Sequence, residues 1–187
     1  MLVLGIDPGS ETTGWGVVEG NARRYGLVGF GTVKASPRER FAARLLKISD
    51  GVERLIGRYA PDVCAIEESF FAANAQTALK LGQVRGVVLV AAERAGIEIA
   101  EYAPRLIKQT VVGYGAAEKH QVQEMVRILL RLRTPPAPHD AADALAIAIC
   151  HLHHAALPKP SRTAAKTSAR AKLEALLAEN PRRRARR

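Results

Sequence analysis

The sequence has only two cysteines, no long hydrophobic run and no basic leader segment. Cys64 and Cys150 each lie in an apolar stretch, and two thiols cannot build the disulfide framework of a small secreted domain, so we expect them to act as small hydrophobic residues. No apolar run reaches the roughly 20 residues that a membrane-spanning helix needs. The start, MLVLGID, lacks the positive segment of a signal peptide. These absences predict a globular, cytoplasmic protein.

Three catalytic motifs are also missing from the 187 residues. There is no GxxxxGK[ST] phosphate-binding loop, no GxSxG nucleophile elbow and no cysteine pair at zinc-binding spacing. Their absence argues against P-loop nucleotide hydrolysis, α/β-hydrolase chemistry and a cysteine zinc site. The run HLHH at 151–154 has no second ligand cluster, so we interpret it as the exposed end of the last helix.

The net charge of +10 is concentrated in the C-terminal segment. Residues 158–187 carry ten Lys or Arg and two Glu, which leaves 18 basic and 16 acidic residues for 1–157. The segment is poor in large apolar residues, so we expect a folded domain over 1–157 and a basic, disordered tail over 158–187. The tail is either a solubilising extension or an arm that contacts phosphates non-specifically.

Apolar spacing along residues 1–157 predicts an α/β fold. Strands are expected over 2–6, 14–19, 24–34, 62–68 and 97–103, and helices between Pro37 and Pro61 and over 75–95, 104–111, 117–131 and 139–155. The first three strands pair as antiparallel hairpins, and the later crossovers require parallel pairing with an earlier strand. The prediction is a mixed five-stranded sheet with helices on both faces and the first and fourth strands adjacent. Gly82 and Gly86 on the second helix would allow another backbone to approach closely.

Four carboxylates occupy the ends of predicted elements. Asp7 ends the first strand, Glu67 ends the fourth, and Asp140 and Asp143 share one face of the last helix. Because open α/β sheets bind ligands at the carboxyl ends of their strands, we expect these side chains to meet at one rim. Taken alone, each has a simpler interpretation: Asp140 as a helix cap, Asp7 as a turn former and Glu67 as a solvated strand end.

Carboxylates gathered at one rim would raise each other's pKa unless cations kept them ionised. Oxygen ligands favour Mg²⁺, with Mn²⁺ as a substitute, and two such ions about 3.5 to 4 Å apart support hydrolysis of a phosphodiester. We therefore expect Asp7, Glu67, Asp140 and Asp143 to be both the metal ligands and the catalytic residues. His139, beside them, is either a helper in catalysis or a plain loop histidine.

Four segments in order, GIDPGSETTGWGVV, AIEESFFAANAQTALKLGQVRG, KQTVVGYGAAEKHQVQ and DAADALAIAI, together resemble the RuvC family of Holliday-junction resolvases. The resemblance implies an RNase H-like fold and a homodimer that resolves four-way DNA junctions by paired symmetric nicks in homologous recombination and DNA repair. It also implies 5′-phosphate and 3′-hydroxyl ends, cooperation with the RuvA and RuvB branch-migration complex, and metal-binding residues at the four carboxylates named above.

The resemblance further implies four DNA-contacting residues. The family's junction-wedging aromatic falls on Phe70, which Phe71 follows, and its DNA-contacting lysines fall on Lys108 and Lys119. One of two adjacent aromatics on an extended segment is expected to face outwards, where stacking on a base contributes about 1 to 3 kcal/mol. Without the resemblance, the aromatics would be interpreted as core residues and the lysines as solvated ones.

Two other functions stay open at this point. The stretch GIDPGS is also similar to the first phosphate-binding hairpin of actin-like sugar kinases, although residues 1–157 leave no room for the second lobe that such enzymes need. The other is a noncatalytic junction-binding protein. For such a protein, neutralising the acidic residues would not selectively abolish cutting.

Overall fold

The computed structural model of the protein describes residues 1–68 and 74–155. Residues 69–73 and 156–187 lie outside the described residues, and with them the predicted DNA-contacting Phe70 and Phe71 and the basic C-terminal segment. Within the described ranges, no helix combines the length and the apolar character that crossing a membrane requires.

Five strands form one mixed sheet in the order β3-β2-β1-β4-β5. They are β1 (Leu2–Asp7), β2 (Thr12–Asn21), β3 (Arg24–Lys34), β4 (Val63–Glu67) and β5 (Glu98–Tyr102). The first three are joined antiparallel, whereas β4 runs parallel to β1 and β5 runs parallel to β4. The predicted mixed sheet with its first and fourth strands adjacent is therefore confirmed.

Five helices accompany the sheet: α1 (Phe41–Tyr59), α2 (Ala75–Arg94), α3 (Pro104–Val112), α4 (Lys119–Leu129) and α5 (His139–Ala155). Their starts have local causes. The Asn74 side chain accepts a hydrogen bond from the Thr77 amide and caps α2. Pro104 supplies the first residue of α3, where its missing N–H costs nothing. Glu118 and Gln121 form a reciprocal capping box at the start of α4.

The sheet divides the core into two layers because successive strand residues point to opposite faces. On β1, Val3 belongs to the layer formed with α3, α4 and α5, whereas Leu4 and Ile6 belong to the layer formed with α1 and α2. The two cysteines follow the same division: both are buried and reduced, Cys64 on the α1–α2 face and Cys150 on the α5 face. The sheet is thus covered on both faces, as the sequence predicts.

Candidate active site

Two of the predicted carboxylates lie at the same end of the sheet because their strands are parallel. Ile6 pairs with Ile66 in the register of β1 and β4, so the next residues, Asp7 and Glu67, are neighbours where both strands end. Both side chains are partly buried. This arrangement sets one carboxylate beside another at the carboxyl edge of the sheet, where α/β folds place ligands.

Helix α5 brings the other two carboxylates to this edge by lying directly on the sheet. A Cβ added at Gly14 would stand 1.9 Å from the carbonyl oxygen of Asp140, and one added at Gly5 would stand 2.1 Å from that of Ala144. Only glycine, which has no Cβ, fits at such distances. The two strand glycines therefore set how closely α5 approaches, and with it the position of Asp140 and Asp143.

A cleft of about 260 Å³ opens at this edge. Its polar lining consists of three carboxylates and two lysines: Asp7, Glu67, Asp143, Lys108 and Lys119. The Lys119 ammonium lies 3.5 Å from a carboxylate oxygen of Asp143. Asp140 is not among the residues that line the cleft, although its charge still acts on Asp7 and Asp143. Residues from β1, β4, α3, α4 and α5 thus meet in one place.

The environment of Asp7 strongly disfavours its charged form. Burial is the main cause, followed by the negative charges of Glu67, Asp143 and Asp140, and together they raise the pKa of Asp7 to about 8. The nearby Lys119 partly opposes this rise. A carboxylate in this position needs an additional positive charge to stay ionised near neutral pH.

The same conflict between burial and lysine charge applies to the neighbours of Asp7. Burial and the charge of Asp143 raise the pKa of Glu67, while Lys119 and Lys108 lower it. Burial likewise raises the pKa of Asp143, against the lowering effect of Lys119. The two lysines therefore supply part of the positive charge that these carboxylates need in order to stay ionised.

The donor set of the cleft consists of carboxylate oxygens, which are the ligands that Mg²⁺ and Mn²⁺ prefer. Asp7, Glu67 and Asp143 share its lining. Among residues 1–68 and 74–155, however, no three His, Cys, Asp or Glu side chains are grouped closely enough to hold a metal ion. The carboxylates thus share a cleft of suitable chemistry without forming a preassembled set of ligands.

The segment that follows Asp7 is fixed by a residue that the sequence analysis did not single out. Arg44 of α1 is 7% exposed, and its guanidinium donates two hydrogen bonds to the carbonyl of Ser10, the one from Nε at 2.9 Å. The hydroxyl of Thr13 donates to the carbonyl of Gly9 at 2.9 Å. Arg44 lies three residues after Phe41 and four before Ile48, so the helical period that predicts α1 also places it on the apolar face.

The histidine run at the end of α5 differs from the prediction. His151 is 4% exposed rather than part of an exposed helix end. Its Nδ1 lies 2.9 Å from the hydroxyl of Tyr102, and His154 Nε2 lies 2.9 Å from the Thr110 hydroxyl. The prediction was wrong for His151 because the last turns of α5 pack against β5 and α3. His153 is exposed, as expected, and so is His139 at the start of α5.

The chain is similar in sequence and in structure to proteins of one family. The chain matches the family described as "Crossover junction endodeoxyribonuclease RuvC" over residues 3–151. It is 50% identical to the protein of that name from Chloroflexus aurantiacus over 155 residues, covering 83% of this chain and 94% of the relative. With the one from Halorhodospira halophila it shares 51% identity over 168 residues, covering 90% and 98%. The structure described as "T. thermophilus RuvC in complex with Holliday junction substrate" superposes with a TM-score of 0.79 at 40% identity, covering 83% of this chain and 94% of that one.

Proposed function

The chain belongs to the RuvC family of crossover junction endodeoxyribonucleases, and from this membership we propose that it resolves four-way DNA junctions at the cleft of Asp7, Glu67 and Asp143. It would cut two opposed strands symmetrically and leave 5′-phosphate and 3′-hydroxyl ends, in homologous recombination and DNA repair. One observation supports this more than any other: carboxylates from three distant segments and two lysines line one cleft at the end of two parallel strands.

The nuclease is metal-dependent, and we propose two Mg²⁺ ions held by Asp7, Glu67 and Asp143, with Asp140 beside them. Divalent cations, when bound, supply the Lewis acidity that activates water and stabilises the leaving oxygen of a phosphodiester. The raised pKa of Asp7, caused by burial and by three neighbouring carboxylates, supports this proposal. A buried carboxylate that cannot stay charged alone is suited to bind a cation.

The remaining cleft residues would orient the scissile phosphate. Lys108 and Lys119 carry the positive charges of the lining, so they can attract the phosphate and stabilise the negative charge that develops on it. Ile107 and Val122 are buried in the cleft wall, where they limit access of bulk water. Phe70 or Phe71, outside the described residues, would stack on bases at the opened centre of the junction.

A second copy of the chain would dock on the α1–α2 face. There, a groove of about 720 Å³ is lined mainly by apolar residues, among them Leu46 and Val90, which are 63% and 49% exposed. At Gly82 and Gly86, an added Cβ would meet no atom of residues 1–68 and 74–155 within 4 Å, so these positions leave room for the backbone of a second chain to approach α2. Two symmetric nicks need two active sites, and a two-fold homodimer would supply them. The groove is the surface on which its two chains would meet.

Four further parts complete the proposal; the first three rest on family membership and the fourth on the charge of the C-terminal segment. We propose that the enzyme acts in the cytoplasm, on junctions handled by the RuvA and RuvB branch-migration complex. Residues 1–157 would form the nuclease domain, and the ten basic residues of 158–187 would form an arm that adds non-specific contact with phosphates.

Cleavage of synthetic four-way junctions in Mg²⁺ tests the active site. We expect paired nicks from the native chain, and junction binding without cutting from Asp7→Asn. Asp62→Asn is the matched control, because Asp62 lies at the opposite end of the sheet and accepts a 2.7 Å hydrogen bond from the Leu2 amide that Asn can also accept.

Two results would contradict the proposal. ATP consumption without DNA cleavage would favour the sugar-kinase-like alternative. Tight junction binding by a native chain that never cuts, with Asp7→Asn behaving identically, would favour a noncatalytic junction-binding protein.

A further inference from the structure

A second cleft, lined by arginines, lies at the end of the sheet opposite the carboxylates. The turn between β2 and β3 and the C-terminal end of α4 enclose about 610 Å³, and Arg23, Arg24 and Arg131 line this space together with Tyr25, Ile128 and Leu129. All three arginines are exposed. We call this surface the arginine cleft.

The charges of the arginine cleft are not neutralised within residues 1–68 and 74–155. None of its three arginines takes part in any of the ion pairs formed there. Glu19 and Asp62 flank Arg24 in a neighbouring depression, but neither comes within ion-pair distance of it. Three guanidinium groups from two separate elements therefore face one space without a carboxylate partner.

The backbone at Arg131 adds an independent observation. Arg131 has φ 55°, a left-handed conformation that is unfavourable for a residue with a side chain and that glycine usually occupies just after a helix. The Leu132 amide donates to the Arg127 carbonyl at 2.8 Å and the Arg131 amide to the Ile128 carbonyl at 3.1 Å, so α4 ends in the turn that suits glycine. An arginine kept at such a position suggests a use for its side chain.

We propose that the arginine cleft binds the phosphate backbone of a junction arm outside the cut segment. This inference rests on the function proposed above, because it extends the DNA contact of the same enzyme. Guanidinium groups match phosphate oxygens in geometry and keep their charge at any physiological pH. The cleft is open and lined by several such groups, as contact with a continuous backbone requires.

Helix α4 connects this surface to the active site. Lys119 at its first residue lines the carboxylate cleft, and Leu129 at its last residue lines the arginine cleft, about 15 Å further along at about 1.5 Å per residue. Between them, Glu124 is paired with Arg127 through a 2.9 Å hydrogen bond, which reduces its repulsion of DNA.

The distance between the two clefts suits a single duplex. From Gly14, opposite Asp7, to Asn21, opposite Arg24, β2 extends over about 23 Å at about 3.3 Å per residue. One turn of B-form DNA is longer, about 34 Å. A duplex arm that lies along α4 therefore reaches both clefts within one turn.

Junction affinity as a function of salt tests the proposal, measured on the full chain without divalent metal so that no cutting occurs. Affinity falls with salt, and each lost phosphate contact makes the slope of log affinity against log salt shallower by about 0.9. We therefore expect Arg23→Gln with Arg24→Gln to reduce the magnitude of this slope by up to about 1.8. The matched control is Arg54→Gln with Arg58→Gln, since these exposed arginines lie on α1, across the sheet. The control is expected to keep the native slope.

Arg131→Gly separates binding from folding. Glycine relieves the left-handed backbone, so we expect an unchanged or higher melting temperature together with a slope lowered by about 0.9. If both arginine variants keep the native affinity and slope while the native chain still cuts junctions, the arginine cleft proposal is overturned and the proposed nuclease stands. An acidic protein surface would then be the ligand that this chemistry fits.

Discussion

The two faces of the sheet are built differently. On one face, α5 contacts the strands almost backbone to backbone, with Gly5 and Gly14 leaving no room for a side chain. On the other, α1 and α2 pack through large side chains such as Ile48 and Leu55, and between them remains an open apolar groove. Helix α5 is buried along most of its length, whereas α1 and α2 expose Leu46, Leu79 and Val90 to solvent.

This difference separates two tasks. Catalysis requires side chains held within a fraction of an ångström, and direct backbone contact between α5 and the strands would provide that precision for the proposed catalytic residues Asp140 and Asp143. Association with another chain requires an apolar surface that water can leave, and the α1–α2 groove provides that surface. We therefore propose that the first face controls cutting and the second controls assembly.

Gly14→Ala should cause the largest loss of stability, because the new Cβ would stand 1.9 Å from the Asp140 carbonyl oxygen. Helix α5 would have to move, at a cost on the order of 3 kcal/mol in unfolding free energy. A displacement near 1 Å at the active site lowers the cleavage rate about 100-fold. Thermal unfolding and junction cleavage rates measure the two losses.

Gly57→Ala is the control for this variant. Gly57 lies in α1, and no atom of the described part of the chain stands within 4 Å of the added Cβ, so the substitution should raise stability by up to about 1 kcal/mol through helix propensity and leave cleavage unchanged. A Gly14→Ala protein that cuts at the native rate would show that α5 does not need its close contact with β2.

Asp7→Asn should stabilise the protein at high pH, whereas most substitutions of a buried residue destabilise it. Burial and neighbouring carboxylates raise the pKa of Asp7 from 3.8 to about 8, so the folded protein holds a proton there that the unfolded chain releases. The contribution of Asp7 to the free energy of unfolding is fully present at low pH. It falls by up to about 5 kcal/mol as the pH rises from about 4 to 8. Asparagine carries no charge, so the variant should be the more stable protein at pH 9.

Melting temperatures in metal-free buffer from pH 4 to 9 check this expectation, with Asp62→Asn as the control. The difference between Asp7→Asn and the native chain should be small at pH 4 and grow towards pH 9. Added Mg²⁺ should stabilise the native chain more than the variant at high pH, since binding to the folded state raises its stability. A variant that is less stable than the native chain throughout would contradict the role of Asp7 as a strained, buried acid.

Leu46→Glu tests assembly on the other face. A charged side chain placed in an apolar interface costs at least about 2 kcal/mol, which weakens dimerisation roughly 30-fold or more. We expect sedimentation to show monomers, and junctions to carry single nicks instead of paired ones. Val28→Glu is the control, because Val28 is 43% exposed but lies on β3, away from the groove. Native dimerisation by Leu46→Glu would place the interface elsewhere.

Most of the fold can be predicted from the sequence because its causes are local. Apolar spacing and flanking prolines place each helix within about three residues of its observed ends, and the crossover rules place the first strand beside the fourth. The positions of Asp7 and Glu67 at one edge follow from that pairing alone. The assignment of four carboxylates as metal ligands stays a prediction.

The rest depends on which distant elements touch, and local patterns do not record this. The close contact of Gly14 with α5 requires knowing that the last helix crosses the second strand. The polar run HLHH suggests a solvated end, yet His151 is buried because Tyr102 of β5 provides a partner. Asp140 and Asp143 share a helix face as predicted, but only Asp143 lines the cleft, since the first turn of α5 begins at its rim.

Gly86→Ala should have the smallest effect on dimerisation among these variants, and Gly57→Ala is its matched control. Both glycines lie inside helices, where an added Cβ would meet no atom of the residues described within 4 Å, but of the two Gly86 alone lines the α1–α2 groove. In the monomer both substitutions should add up to about 1 kcal/mol of stability. If a second copy packs closely against α2, the methyl group at position 86 should also weaken dimerisation several-fold, which Gly57→Ala should not do. Sedimentation of the two variants at matched concentrations measures this difference, and equal dimer affinities would mean that the partner chain does not approach the helix at Gly86.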